Sequence, residues 1–417
     1  MCRTKISEDG VTTKFGCGAF TALIALFLVA MPAARAQNGD APHETDDLAA
    51  GSGAPHYQVD PFWPKQLPNN WIMGAVGGLF VDGQDHIWVL QRPASSSRVE
   101  LGAAQNPPMS DCCNKTPSLL EFDSAGNVIR SWGGQGFVKD WPSTEHAIWV
   151  DKSGNVWISG SGADDRQVLK FTADGQQLLE IGRKSNEPKN NQDTSLLGQP
   201  AAITVDDEAH EVYIGDGYMN NRVVVYDSDT GKFKRGWGAY GIALSEISNA
   251  AESNGPGGAA EEGGGSAIAG SPKIAPYKAG DPPDRQFRSP LHCVRIANDS
   301  LVYVCDRHND RIQVFTKAGK FLKEFFLHTA TLHNGSTWTL TFSHDPGQKY
   351  LLVVDGEDNQ IFVMRRDDGA VVSSFGHAGR NAGQFIEVHQ IGMDSKGDIY
   401  TGEVSSAKRV QKFILQK

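Results

Sequence analysis

Three histidines in this chain stand at one fixed distance from a turn. His146 lies five residues before Asp151 in PSTEHAIWVDKSGNVWI, His292 five before Ala297 in SPLHCVRIANDSLVYVCDRHNDR, and His389 five before Asp394 in FIEVHQIGMDSKGDIYTG. Each sits in an extended apolar segment that runs into an Asp/Gly/Asn turn and then a second strand. Three neutral imidazoles brought to one point hold Zn²⁺ and leave a coordination position open for water or substrate. Such an ion acts as a Lewis acid or lowers the pKa of a bound group. A lone histidine is more simply read as a solvated or hydrogen-bonded side chain. The shared register is what distinguishes these three among the 12 histidines.

The elements that must position them form a repeat. From Gly74 onward the unit is an apolar strand, a D-x-x-G-type turn and a second apolar strand. A third strand follows, as in VVVYDSDTG from Val223 or IFVMRRDDG from Ile361, and then a fourth that ends in an apolar residue and Gly. Alternation is period-two and the turns are rich in Gly, Asp and Asn, so these are strands. The turn positions are Asp82, Asp151, Asp206, Ala297, Ser343 and Asp394. With two irregular stretches set aside, 94–117 and 243–285, the period is roughly 40–50 residues, that of a four-stranded propeller blade. Six turns predict an all-β, six-bladed β-propeller over 56–417. The last repeat supplies three strands, so the isolated segment His56–Pro68 is expected to close the ring as its fourth. The histidines fall in blades two, four and six, and Gly77, Ala201 and Trp338 hold the same slot in the others. First strands line the channel of a propeller. One register on alternate blades therefore predicts a girdle of three histidines about a pseudo-threefold axis.

Residues 1–36 read as a signal peptide. Lys14 precedes the apolar run Phe20 to Met31, and Ala34-Arg35-Ala36 offers a cleavage site. Residues 37–55 read as a disordered leader. The expected location is periplasmic or secreted, with no membrane contact after signal removal. A net charge of −10 argues against a nucleic-acid partner. Four cysteines remain after the signal. Cys293 and Cys305 lie opposite each other on one hairpin and read equally as a disulfide or as buried thiols; for Cys112-Cys113 no pairing is assigned.

These residues resemble NHL-repeat propellers and, within them, the peptidyl-α-hydroxyglycine α-amidating lyase family. The resemblance covers about Gly74 to Leu415 apart from the two insertions. It implies zinc held by His146, His292 and His389. It implies an active-site tyrosine at Tyr218, in Asp216-Gly217-Tyr218-Met219-Asn220-Asn221-Arg222. It also implies active-site arginines at Arg92, which follows Gln91, and at Arg307, in Asp306-Arg307-His308-Asn309-Asp310-Arg311. Arg222 and Arg311 belong to a pattern common among NHL repeats and are expected to be structural. Gln390 stands where the family has an Asp beside a structural calcium. An amide is a poorer Ca²⁺ ligand than a carboxylate, so calcium is not expected there unless main-chain carbonyls suffice. Glu387, two residues before His389, is expected to face the same way. The activity implied is cleavage of an N-acyl hemiaminal to an amide and glyoxylate, on a small-molecule or peptide substrate. Two other functions fit the same repeat: a non-catalytic propeller with a protein partner at the ring face, and a lactonase-type hydrolase.

Overall fold

The computed structural model describes residues 53–252, 273–274, 282 and 284–416. The signal-peptide and leader assignments and most of the 243–285 insertion lie outside the described residues. Six four-stranded antiparallel sheets make up the fold; five run in chain order from first strand to fourth, and the sixth takes its fourth strand from the start of the chain. Blade one comprises Ala75–Val81, Ile87–Arg92, Leu119–Phe122 and Val128–Trp132. Blade two comprises Glu145–Val150, Val156–Gly160, Gln167–Phe171 and Gln177–Gly182. Blade three comprises Ala202–Asp206, Glu211–Asp216, Arg222–Asp227 and Phe233–Trp237. Blade four comprises Leu291–Ile296, Leu301–Asp306, Arg311–Thr316 and Phe321–Phe326. Blade five comprises Thr339–Phe342, Tyr350–Asp355, Gln360–Arg365 and Val371–Phe375. Blade six takes Val388–Met393, Ile399–Glu403 and Val410–Gln416 from the end of the chain and His56–Asp60 from the beginning, with His56 opposite Gln416 and Asp60 opposite Lys412. The closing strand is shorter than the expected His56–Pro68 segment and stops at Asp60.

A β-sheet buries its apolar side chains only against another layer, so each blade needs two neighbours. Six apolar clusters meet that need, one at each interface around the ring. Leu90, Trp141 and Phe171 lie between blades one and two, and Val76, Leu79 and Tyr400 between blades one and six. Tyr57 and Val59 of the closing strand join the cluster shared by blades five and six. The turn aspartates work as hairpin caps. Asp151 Oδ1 accepts the backbone N–H groups of Ser153 and Asn155, and Asp394 Oδ1 those of Lys396 and Asp398. The other carboxylate oxygen holds an aromatic side chain of the second strand, Trp157 or Tyr400.

Cys293 and Cys305 are directly opposed and form a disulfide, and Cys112 is bonded to Cys113. The segment between the second and third strands of blade one is tied down by a short parallel pairing of Asn114–Lys115 with Trp71–Ile72. Among the described residues no helix is long and apolar enough to cross a membrane.

Val59→Asp is expected to lower stability by about 2 kcal/mol, because it sets an unpaired charge against the cluster at the closing interface. Gln58→Asp, at an exposed position of the same strand, is expected to be near neutral. Thermal unfolding of the two variants checks this, and equal melting temperatures would show that the closing strand carries no weight.

Candidate metal centre

The first strand of a blade is not a uniform ladder where the site forms. In blades two, four and six the register slips at the histidine: between Glu145 and Ile148, between Leu291 and Cys293, and between Val388 and Gln390. Blade one slips at the matching position, between Val76 and Gly78. A β-bulge re-aims the side chain it carries. It also frees main-chain groups from the ladder, and the site uses them.

His146 Nδ1 lies 2.9 Å from the carbonyl of Ala201, and His292 Nδ1 lies 2.7 Å from that of Trp338. Gly77 is likewise the backbone hydrogen-bond partner of His389, whose Nδ1 also lies 3.3 Å from the Gln390 side-chain amide nitrogen. Each partner is the slot residue of the next blade around the ring. A carbonyl can only accept, so each Nδ1 carries the proton and each Nε2 presents a lone pair. Gly77 is required for a separate reason: a Cβ there would come within 2.3 Å of the Glu145 carbonyl.

The three rings form a nearly equilateral triangle, with centroids 5.1, 4.9 and 4.9 Å apart and interplanar angles of 85, 83 and 83°. One ligand atom from each lies within 4.8 Å of the other two. All three side chains are buried. Burial holds the His146 imidazole well below its ordinary pKa, helped by His292 and Arg92. Burial does the same to His389, helped by His146, Arg92 and Arg307. Neutral imidazole is the form that binds metal.

Tyr218 follows the second strand of blade three. Its hydroxyl lies 2.9 Å from His146 Nε2 and 3.2 Å from His292 Nε2. One phenolic proton can serve only one of those nitrogens. His389 Nε2 is buried with no hydrogen-bond partner at all. A buried acceptor left unpaired, as His389 Nε2 is, costs about 1–3 kcal/mol. A cation at the centre of the triangle satisfies all three, so the donor set fits a metal of the zinc class.

Arg92 and Arg307 stand close enough to the triangle to act on the charge of two of its members. Arg92 donates its Nε–H to the Glu145 carbonyl at 2.7 Å and leaves Nη2 buried without a partner. Arg307 is buried, stacks over Trp338 at 4.4 Å and donates to Asn334 Oδ1 at 3.2 Å. The structure thus brings the three histidines and Tyr218 into contact, and sets Arg92 and Arg307 near enough to depress the pKa of His146 and His389. Arg222 and Arg311 are instead fully buried partners of Asp216 and Asp306, at 2.8 and 2.7 Å. One expectation needs adjustment. Glu387 precedes the strand and has a φ of +51°, so alternation from His389 does not carry to it. Gln390 donates its amide to the Gly77 carbonyl at 3.1 Å, so it occupies the expected calcium neighbourhood as a donor. The carbonyls of Gly77, Ala201 and Trp338 escaped the sequence reading. Those positions were recognised as slots, but main-chain roles leave no mark in residue type.

No family model matches the chain. It is 24% identical to peptidyl-glycine alpha-amidating monooxygenase B of Xenopus laevis over 87% of its own length and 36% of that protein's. It is 27% identical to the peptidylglycine alpha-amidating monooxygenase of Rattus norvegicus over 91% of its length and 34% of that protein's. The chain thus spans about a third of the length of these relatives. It is 24% identical to NHL repeat-containing protein 3 of Mus musculus over 86% of its length and 84% of that protein's. Among solved structures, a streptogramin B lyase aligns with a TM-score of 0.48 at 12% identity, covering 87% of this chain and 98% of that one.

In metal-free protein, the depressed pKa of His389 places its stabilising contribution above the unfolded value of 6.5, and that contribution is lost as pH falls below it. The stability gap between the chain and its His389→Gln variant, both stripped of metal, is therefore expected to narrow between pH 7.5 and 5. Melting curves across that range test this, and a gap that widens on acidification would contradict it. The chain is a six-bladed β-propeller, similar to NHL repeat-containing protein 3 and, over the part of them that it spans, to the amidating monooxygenases.

Proposed function

We propose that the protein is an exported, zinc-dependent carbon–nitrogen lyase that cleaves an N-acyl hemiaminal, R-CO-NH-CH(OH)-COO⁻, to the amide R-CO-NH₂ and glyoxylate. The observation that carries this reading is the buried triangle of three imidazoles, with the Tyr218 hydroxyl beside two of its Nε2 atoms and two guanidinium groups acting on its charge. Similarity to the amidating monooxygenases supports it. So do the two disulfides, which belong to an oxidising compartment outside the cytosol.

His146, His292 and His389 would hold the ion. Bound there, zinc supplies Lewis acidity that lowers the pKa of a substrate hydroxyl. The chain's own groups do the rest. Tyr218, whose hydroxyl lies beside two of the ligand nitrogens, would act as the phenolate that a bound cation favours and take the substrate's hydroxyl proton. As the C–N bond breaks, the electron pair of the O–H bond forms the aldehyde carbonyl and the amide nitrogen leaves with a proton returned by Tyr218. No electron acceptor is needed. Arg92 and Arg307 hold the carboxylate, a task for which the guanidinium fork is suited. Enclosure of the histidines keeps competing water away from them.

A second reading has one observation in its favour. The chain matches NHL repeat-containing protein 3 over most of both lengths, and on that reading the propeller is a non-catalytic scaffold with a protein partner at the ring face. It expects no tight metal and unchanged stability after chelation.

Purified protein is expected to contain one zinc at the central site and to release glyoxylate from α-hydroxyhippurate. His292→Ala is expected to lose both. Tyr218→Phe is expected to keep the metal and to lose about 10²-fold or more in kcat. Arg92→Ala is expected to act mainly on KM. Elemental analysis and glyoxylate release decide the matter: metal without turnover rejects the lyase, and no metal at the triangle rejects both.

A further inference from the structure

A buried ion pair recurs at the outer end of the second strand. In blade three Asp216 is opposite Arg222, and in blade four Asp306 is opposite Arg311; each pair is fully buried and bonded. In blade six Glu403 pairs with Arg409. Blade five keeps the acid and loses the base. Asp355 is fully buried, and the residue opposite it in the ladder is Gln360. Asp355 Oδ1 accepts the backbone N–H of Asp358 at 2.9 Å, but Oδ2 has no hydrogen-bond partner. The nearest cationic group is His328 Nδ1, 3.6 Å away, which is also 3.3 Å from Asp358 Oδ2. A buried carboxylate stripped of its counter-charge is costly, by several kcal/mol in typical cases.

We propose that blade five carries a second divalent-cation site, formed by His328 Nδ1 and the carboxylates of Asp355 and Asp358, in the place where neighbouring blades put a guanidinium. One ligand atom from each of the three lies within 4.8 Å of the other two. Asp355 is the buried anchor, while His328 and Asp358 are half-exposed and give an ion access from solvent. An imidazole with two carboxylates suits zinc or manganese and not calcium, which takes oxygen ligands. The acids there are starved of positive charge: burial pushes Asp355 up to about 6 and Asp310, whose carboxyl feels Asp355, up to about 7. The site would also fasten a loop. Asp310 grips both ends of the segment from Leu327 to Ser336, accepting their backbone N–H groups at 2.9 and 2.8 Å. That loop carries Asn334, the partner of Arg307. An ion at His328 therefore ties to blade five the loop that supports an arginine of the central site.

The test removes the central site first, so that its fate does not matter. Full-length protein carrying His292→Ala is stripped of metal and titrated with Zn²⁺ and with Mn²⁺ by calorimetry. One site per chain is expected to remain. In that background His328→Ala and the near-isosteric Asp355→Asn are each expected to weaken binding by at least about tenfold. Gln360→Arg, which restores the pairing of blades three and four, is expected to abolish binding and to raise the melting temperature of metal-free protein. Absence of binding in the His292→Ala protein would overturn the proposal and leave protonated His328 as the only counter-charge. Binding that survives Gln360→Arg would overturn it too.

Discussion

The centre of this molecule depends on one contact made three times: an imidazole N–H donated to the main-chain carbonyl of the next blade. It fixes the tautomer, because a carbonyl cannot donate. It fixes the ring plane, which is why the three rings stand nearly perpendicular to one another. It also welds blade two to three, four to five and six to one at the innermost strand. Metal-binding capacity and ring closure are thus set by the same three bonds. Outer-shell hydrogen bonds of this kind generally raise the basicity of a ligand and hold it in place, and here they come from backbone, which substitution of the slot residue does not remove.

Much of this was legible in the chain. Period-two alternation with Asp/Gly turns gave the strands, the recurrence of turns gave the blade count, and the shortfall of one strand in the last repeat gave the closing strand at His56. The common distance from His146, His292 and His389 to a turn gave the convergence, because a propeller turns shared register into shared depth. Tyr218, Arg92 and Arg307 came from resemblance; Tyr218 touches the triangle, and the two arginines act on its charge.

What was not legible is instructive in physical terms. The bulges at the histidines depend on how two strands mismatch, which no local pattern encodes. Carbonyl partners are invisible because every residue has one. Glu387 was misjudged because alternation was extended past the start of a strand into a left-handed residue. The lost partner of Asp355 became visible only when cross-strand register gave Gln360 the place that Arg222 and Arg311 hold in their own blades.

The ring's six interfaces are each lined by their own apolar cluster, yet the closing one differs from the rest in a topological respect. There the sheet is completed by hydrogen bonds between the two ends of a single polypeptide, His56 against Gln416. Separation in sequence between those partners is nearly the whole chain, so joining them costs more loop entropy than any other pairing in the molecule. Blade six is accordingly the one blade whose sheet is complete only when the two ends of the chain have met. An ion held by all three imidazoles would bind blades two, four and six at once, so its retention would report on the integrity of the entire ring.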